Sequence, residues 1–295
     1  MKLAAFDIGG TALKMAIVNQ NGTFLEKNKR QIIDSDGDQI LNAMMAWIDI
    51  HPDCNGIAIS APGYVNPESG FIEMGGAIRK FDRFHLKNWL EERRGLPVTV
   101  ENDANCVLLA ERWQGKARNM RNFLVLTIGT GIGGAIFCNN ALVHGASFKA
   151  GEFGYMQTTR PGIQSIQHSS MNENCTLRVL RFRYADYFGK KLEDVTGEEI
   201  FDRYEAGNTV CQRLVSEFFN DLGTGLYNLV NIFDPQVIFI GGGIVERPGF
   251  IEKLKEKLYW FGIEKYINSV STGNDAGLIG AVYHFNQQTK SLICD

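Results

Sequence analysis

Residues 3–25, LAAFDIGGTALKMAIVNQNGTFL, contain three partly apolar runs that are separated by Gly9-Gly10 and by Asn21-Gly22. Glycine pairs and Asn-Gly pairs between apolar runs are typical of tight turns that join antiparallel strands. The stretch therefore predicts three strands connected by two hairpin turns.

Residues 123–143, FLVLTIGTGIGGAIFCNNALV, repeat this order, with a glycine turn first and Asn139-Asn140 second. Between and after the two copies, the apolar spacing has alternately a helical and a strand period. We therefore expect an α/β protein of two related lobes with mixed sheets, in which the glycine turns face an interlobe cleft.

The periodic segments give the predicted lobe boundaries. Strands are predicted at GIAIS, VTVE and QVIFIGGG, and the amphipathic last helix is expected to pack back on the first lobe. The N-terminal lobe is predicted at residues 1–117 plus 276–295, and the C-terminal lobe at 118–275. The predicted helices span approximately residues 39–49, 104–114, 171–188, 196–206, 208–232, 248–260 and 276–288.

Composition excludes several classes of partner. The 295 residues include 30 basic and 33 acidic ones, which gives no electrostatic basis for binding nucleic acid or an anionic membrane. No run of about 18 apolar residues occurs, and the N-terminus has no apolar segment typical of a signal peptide. The six cysteines stand singly, which predicts reduced thiols in a cytoplasmic protein.

Three glycine turns are candidate phosphate sites. Gly129–Gly134 matches G-x-G-x-x-G, but the dinucleotide fingerprint requires a helix directly after it, and AIFCNNALV predicts a strand. No Walker P-loop motif occurs. The turns at Gly9-Gly10, Gly129–Gly134 and Gly241–Gly243 are instead expected to present backbone N–H groups to phosphate oxygens.

Acidic and polar residues accompany the first turn. Asp7 ends the first strand, where a carboxylate can hold Mg²⁺ through water. Thr11 and Lys14 are candidate donors to phosphate, although Lys14 could equally be a strand residue that faces solvent.

Residues 98–106, VTVENDANC, run from a strand into a helix. Asp103 alone would suit the N-cap of that helix. Phosphoryl transfer to an alcohol, however, needs a carboxylate that accepts the hydroxyl proton and an amide that orients the acceptor. Because phosphate turns are predicted nearby, we favour Asp103 as the general base and Asn102 as its amide partner.

In residues 150–156, AGEFGYM, Glu152 lies between two glycines, and Tyr155 and Met156 follow the second glycine. Glycines around a carboxylate suggest a tight approach of the backbone to something small. The stretch is therefore a candidate substrate-binding turn.

Seven motifs occur in this order along the chain: FDIGGT, SAPGYV, ENDANC, LTIGTGIGG, GEFGYM, IFIGGG and NDAGLIGA. Together they resemble the ROK family of sugar kinases and repressors over nearly the whole chain. The resemblance implies the actin and hexokinase-like fold, which is ribonuclease H-like, and an ATP-dependent phosphotransferase that uses Mg²⁺. Because the chain starts at its first strand, the helix-turn-helix extension of repressor members is not expected.

Within the family, the sequence is most similar to members that transfer the γ-phosphate of ATP to the 6-hydroxyl of the glucosyl unit of β-glucosides such as cellobiose. The alternatives are a glucokinase or N-acetylmannosamine kinase, a non-catalytic sugar sensor and, more remotely, an actin-like filament protein. A homodimer is expected because it is common among relatives.

The resemblance also implies roles for the matched positions. Asp103 would be catalytic, and the sugar would be bound by Asn102, Asp103, Glu152 and Gly63. The implied nucleotide-binding residues are Asp7, Gly9, Gly10, Thr11, Lys14, Thr130 and Gly131 at the phosphates, and Gly242 and Gly243 near the adenosine.

One departure from the family pattern concerns zinc. ROK kinases usually read E-x-G-H, where the histidine serves both the sugar and a structural zinc, and then C-x-C-G-x-x-G-C-x-E. This chain has Tyr155 for the histidine and offers only His168 and Cys175 downstream. A tetrahedral zinc needs about four nitrogen or sulfur ligands, so no zinc site is predicted.

The second departure concerns specificity. If Cys175 matches the last cysteine, the sugar-binding glutamate of the family falls at Leu177. Tyr155 and Leu177 would then form an apolar wall for a second sugar or an aglycone, because apolar walls discriminate weakly between substrates. The alternative is that Tyr155 only packs in the space of the lost zinc site.

Overall fold

The computed structural model describes residues 1–159 and 166–291 and divides them into two compact units. The first unit contains Met1–Asn119, His144–Ala150 and the segment from Ser271 onward, and the second contains Met120–Val143 and Gly151–Val270. The two copies of the predicted hairpin fall in different units. The segment His144–Ala150, which the sequence assigned to the second lobe, belongs to the first unit.

The described elements agree closely with the predicted hairpins and the longer helices. In chain order they are β1 (Lys2–Ile8), β2 (Ala12–Asn19), β3 (Phe24–Gln31), α1 (Gly37–Asp49), β4 (Gly56–Ala61), β5 (Tyr64–Asn66), β6 (Phe71–Met74), β7 (Phe84–His85), α2 (Leu86–Arg94), β8 (Val98–Asn102), α3 (Asp103–Trp113), β9 (Phe123–Ile128), β10 (Ile132–Cys138), β11 (Ala141–Leu142), α4 (Met171–Asn174), α5 (Leu177–Phe188), α6 (Gly197–Glu205), α7 (Thr209–Phe233), β12 (Ile238–Gly241), α8 (Phe250–Leu258), β13 (Ile267–Ser269) and α9 (Ala276–Ser291).

The first unit is built on a five-stranded mixed sheet in the order β3-β2-β1-β4-β8. β1 pairs antiparallel with β2 and parallel with β4, and β4 pairs parallel with β8. Side chains of β1 alternate between the two faces, so Leu3 and Ala5 share a core with α9, whereas Ala4 and Phe6 share one with α1. The sheet is therefore covered on both sides, as parallel strands require.

Helix α9 crosses α3 at close range. A Cβ atom at Gly280 would overlap the carbonyl oxygen of Cys106, so only glycine allows the two helices to approach in this way. The expectation that the last helix packs with the first lobe is confirmed.

The second unit contains a five-stranded mixed sheet in the order β11-β10-β9-β12-β13. β9 and β10 form the predicted hairpin, and β12 adds parallel to β9. Asn139 and Asn140 both have positive φ, as a two-residue hairpin turn requires. The prediction of an α/β fold with mixed sheets and a repeated hairpin is confirmed.

Two predictions about local structure need correction. The helix expected over 171–188 is interrupted, because α4 ends at Asn174 and the Thr176 side chain then caps α5 by accepting a hydrogen bond from Val179 N at 3.3 Å. The small antiparallel sheet β5-β6-β7 and the helix α2 were not predicted. Their apolar runs are too short to show a clear period.

Cysteine and membrane expectations can be compared with the described residues. Cys54, Cys106, Cys138, Cys175 and Cys211 are free thiols, and Cys294 lies outside the described ranges. No helix among the described residues has the length and apolar character needed to span a membrane.

Candidate active site

Asp7 is an anchored carboxylate at the end of β1. Lys14, its antiparallel partner on β2, donates from Nζ to Asp7 Oδ2 at 3.0 Å, and Ser60, its parallel partner on β4, donates to Oδ1 at 2.7 Å. Gly277 in the first turn of α9 lies so close that a Cβ atom there would overlap the carboxyl group. The positive end of the α9 dipole favours a negative charge at this place.

The Lys14 ammonium also donates to the carbonyl oxygen of Asn274 at 2.6 Å, and only 30% of the side chain is exposed. The alternative that Lys14 simply faces solvent is therefore wrong. The charge of Asp7 also acts on Asp103. The Asp7 carboxylate, with the Ser60 hydroxyl beside it, offers the hard oxygen donors that Mg²⁺ and its bound waters prefer, so the residues present fit the predicted ion.

The glycine turns differ in what their glycines do. Gly9 N donates to Ala12 O at 3.0 Å and Gly129 N to Gly131 O at 3.0 Å, which closes each turn. No atom lies within 4 Å of the place where a Cβ atom of Gly243 would be, so this backbone is open to a ligand.

Gly242 has another reason to be glycine. Its φ is 93°, and a Cβ atom there would overlap the carbonyl oxygen of Ile128 on β9. Packing within the sheet thus already requires glycine at 242. The rejection of the dinucleotide fingerprint holds, because the strand β10 follows Gly129–Gly131 directly.

Asn102, not Asp103, caps α3. The Asn102 Oδ1 atom accepts a hydrogen bond from Asn105 N at 3.1 Å, and Asp103 is the first helical residue. The Asn102 Nδ2 atom donates to Gly63 O at 2.9 Å and to Asp103 Oδ1 at 3.1 Å. The interpretation of Asp103 as the N-cap is therefore wrong, and Gly63 contributes a carbonyl that orients Asn102.

The Asp103 carboxyl can be reached by solvent, although protein groups crowd it on other sides. This crowding raises the pKa of Asp103 to about 6, and the negative charge of Asp7 acts in the same direction, against the hydrogen bond from Ala104 N. A carboxylate with a raised pKa is a stronger proton acceptor at neutral pH than an ordinary aspartate.

The pKa of Asp103 predicts the acid side of a pH profile. A protonated carboxyl group cannot accept a hydroxyl proton, so kcat/KM should be half-maximal near the value of about 6 and fall tenfold per pH unit below it. The measurement is kcat/KM for cellobiose between pH 5 and 8 at saturating ATP and Mg²⁺. Any residual activity of Asp103→Asn should lack this limb, and an unchanged rate between pH 5 and 7 in the parent protein would contradict the assignment.

Glu101, directly before this pair, was not singled out from the sequence. It is fully buried, and its Oε1 atom accepts hydrogen bonds from Asn102 N at 2.8 Å and Asn105 Nδ2 at 2.9 Å. Its Oε2 atom lies 2.8 Å from His144 Nε2 and 3.7 Å from His284 Nδ1. The cluster therefore holds the backbone from which Asn102 and Asp103 project.

The charges in this cluster support one another. Burial opposes ionisation of Glu101, but the hydrogen bond from His144 and the two histidine charges hold its pKa below the usual range. Burial is the largest influence on the pKa of His144 and lowers it, but the hydrogen bond to Glu101 and the negative charges of Glu101 and Glu68 together outweigh it, so the net shift is upward. Burial lowers the pKa of His284, while the negative charge of Glu101 acts in the opposite direction. One sequence signal was available: an acid in a strand buried on both faces requires a partner.

Residues 151–156, which we call the Glu152 loop, pack against the five-stranded sheet of the second unit. A Cβ atom at Gly151 would contact the backbone of Gly134, and one at Gly154 would overlap Asn172. These glycines therefore allow the loop to pack on β10, and their predicted tight approach to a small ligand stays a prediction. Glu152 itself is half-buried.

Tyr155 and Leu177 differ in exposure. Tyr155 is 54% exposed, which argues against a role as mere filling for a lost metal site. Leu177 is half-buried at the start of α5, where its Cδ2 atom faces Gly197.

The residues downstream of Tyr155 do not fit a structural zinc. His168 is exposed, whereas Cys175 is buried, and burial raises the pKa of its thiol although zinc binds the thiolate. Over residues 1–159 and 166–291, no group of three or more His, Cys, Asp or Glu side chains could hold a metal ion.

Comparisons with known proteins show the family of this chain. The ROK family model matches residues 3–288, and the chain therefore belongs to the ROK family. It is 69% identical over 291 residues to a β-glucoside kinase of Klebsiella pneumoniae, with 99% of this chain and 98% of that protein covered.

Two solved structures are similar along their whole length. A Listeria monocytogenes protein described as a candidate N-acetylmannosamine kinase is 54% identical, with a TM-score of 0.96 and coverage of 98% of this chain and 100% of that one. A Streptococcus pneumoniae ROK family protein in complex with sucrose is 32% identical, with a TM-score of 0.85 and coverage of 99% and 100%.

Proposed function

We propose that the chain is an ATP- and Mg²⁺-dependent kinase that phosphorylates the 6-hydroxyl of the glucosyl unit of β-glucosides such as cellobiose. The observation that carries this proposal is the 69% identity, over nearly the full length of both chains, to a β-glucoside kinase. The carboxyl group of Asp103, with its pKa of about 6, supplies the matching chemistry.

In the proposed reaction, the sugar 6-oxygen attacks the γ-phosphorus in line while Asp103 accepts the hydroxyl proton. The bond from the γ-phosphorus to the bridging oxygen breaks, and ADP leaves with that electron pair. The Asn102 amide, fixed by Gly63 O and Asp103 Oδ1, orients the acceptor hydroxyl. Mg²⁺, held through water by Asp7, would neutralise charge on the phosphates.

The other predicted residues complete the proposal. Backbone N–H groups at Gly9, Gly10 and Thr11 and at Thr130 and Gly131 would hold phosphate oxygens, and Lys14 would move from Asp7 to phosphate. Gly242 and Gly243 would lie near the adenosine, and Glu152 would bind sugar hydroxyls. The homodimer and the cytoplasmic location remain predictions.

Substrate choice is proposed to depend on the exposed ring of Tyr155 together with Leu177. An apolar wall at the anomeric end tolerates a second sugar or an aglycone, whereas polar partners there would favour a free hydroxyl. The sucrose complex of the pneumococcal relative supports room for a disaccharide in this family.

A panel of acceptors tests the proposed function. We expect ATP-dependent phosphorylation of cellobiose and salicin with a kcat/KM at least about tenfold above that for glucose or N-acetylmannosamine. Glucose and N-acetylmannosamine lack the second ring that would contact the apolar wall, and loss of such a contact costs roughly 1–3 kcal/mol of transition-state binding. N-acetylmannosamine is included because the Listeria relative is described as a candidate kinase for it. The measurement is ADP release coupled to a dehydrogenase assay.

Tyr155→Ala is the matched variant in the same panel. The exposed ring carries little packing, so the variant should fold normally and lose most of its preference for glucosides while retaining turnover of glucose. Faster use of free glucose than of any glucoside by the parent protein would refute the glucoside assignment.

A further inference from the structure

Asn172 in α4 joins two loops of the second unit. Its Oδ1 atom accepts a hydrogen bond from Ile132 N at 2.8 Å, directly after the turn that contains Thr130 and Gly131. On its other side, the Asn172 side chain lies against Gly154, two residues after Glu152, so closely that a Cβ atom there would overlap it. One amide therefore connects the proposed phosphate turn to the loop that carries the proposed sugar ligand.

The helix that carries Asn172 is fixed to the same loop by its backbone. Met171 N donates to Met156 O at 2.9 Å, immediately after Tyr155, and Thr158 N donates to Ser169 O at 2.9 Å. The loop, α4 and the first residue of β10 thus form one hydrogen-bonded body. A shift of the phosphate turn is transmitted to the Glu152 loop because little freedom remains between them.

Resting on the proposed function, we propose that Asn172 is a positioning residue that couples nucleotide binding to sugar binding. Phosphate oxygens on the turn N–H groups fix Ile132 and, through the Asn172 amide, the loop bearing Glu152. By thermodynamic reciprocity, a sugar held by Glu152 raises the affinity for nucleotide by the same factor. Hydrogen bonds hold this segment in place.

The test compares affinity for a non-hydrolysable ATP analogue with and without saturating cellobiose, measured by calorimetry in the presence of Mg²⁺. In the parent protein we expect cellobiose to tighten analogue binding by at least about fivefold. In Asn172→Ala the ratio should fall to about one, and the KM values for ATP and cellobiose should both rise more than kcat falls. Asn172→Ser, which is too short to reach Ile132 N, replaces the alanine variant if that variant does not fold.

Asn174→Ala is the matched control on the same helix. Asn174 donates to His168 O at 3.1 Å and Ser170 O at 3.0 Å and accepts from Arg183, so its loss perturbs α4 without touching the phosphate turn. In Asn174→Ala, the ratio of the analogue affinities with and without cellobiose should equal that of the parent protein. If the parent phosphorylates cellobiose but shows a ratio of one, or if the Asn172 variants retain the parent ratio, the coupling is overturned while the proposed function stands. Absence of turnover on every sugar of the panel overturns the proposed function as well.

Discussion

Asp103→Asn is expected to lower kcat by about 10²–10⁴-fold, the usual contribution of a general base. The amide keeps the size of the side chain and still offers an oxygen to Ala104 N, which lies 2.8 Å from Asp103 Oδ1 in the parent. Only the capacity to accept the hydroxyl proton is lost. Steady-state kinetics with cellobiose and ATP measure the effect, and an unimpaired kcat would contradict the role of Asp103.

Thermal unfolding of the same variant separates chemistry from folding. The pKa of Asp103 in the folded protein is about 6, above the ordinary value of 3.8, so the folded state binds the proton more tightly than the unfolded state does. The ionised carboxylate therefore costs stability at neutral pH. We expect the Tm of Asp103→Asn to equal or exceed that of the parent, whereas a variant that merely misfolds would melt earlier.

Glu101→Ala is expected to reduce both stability and turnover. It removes the acceptor of Asn102 N, Asn105 Nδ2 and His144 Nε2 from a fully buried position. Removal of one partner from a buried charged cluster typically lowers the free energy of unfolding by about 3–5 kcal/mol. Displacement of Asn102 and Asp103 should lower kcat by about 10- to 100-fold in the protein that remains folded. Urea unfolding and initial rates at low temperature measure the two effects.

Glu101→Gln is the matched control. The amide oxygen can still accept from Asn102 N, so kcat should stay within a few-fold of the parent, while the ion pair with His144 is lost. Because the pKa of His144 is raised in the folded protein, the pair contributes fully to stability below the ordinary histidine value of 6.5, and this contribution is lost as pH rises through the raised pKa. This pH-dependent part of the stability should be absent in Glu101→Gln. An alanine variant as stable as the parent would contradict the structural role of Glu101.

The hairpins were predictable because their information is local. Gly22, Asn139 and Asn140 all have positive φ, a conformation that glycine and asparagine accept more readily than other residues. The ENDAN stretch was likewise singled out as a candidate site, although the sequence did not tell whether Asn102 or Asp103 caps α3. That choice depends on Gly63 O, which holds the Asn102 amide.

Other parts of the site depend on residues that are distant in the chain. The role of Glu101 depends on its contacts with His144 and His284, and no sequence spacing predicts that these three residues come together. The glycines of the Glu152 loop showed that something must come close to the backbone. Only the folded sheet shows that this neighbour is β10.

The close seating of Gly151 and Gly154 on β10 has a practical consequence for efforts to alter substrate range. Neither position can accept a side chain without displacing the strand, so mutant libraries that randomise the whole loop would consist largely of unfolded members. If the proposed apolar wall is correct, diversity is better confined to its two residues, Tyr155 and Leu177, whose side chains can be exchanged while the path of the backbone is preserved. Because the loop backbone is held by its packing on β10, one or two side-chain replacements would change the acceptor specificity without redesign of the loop.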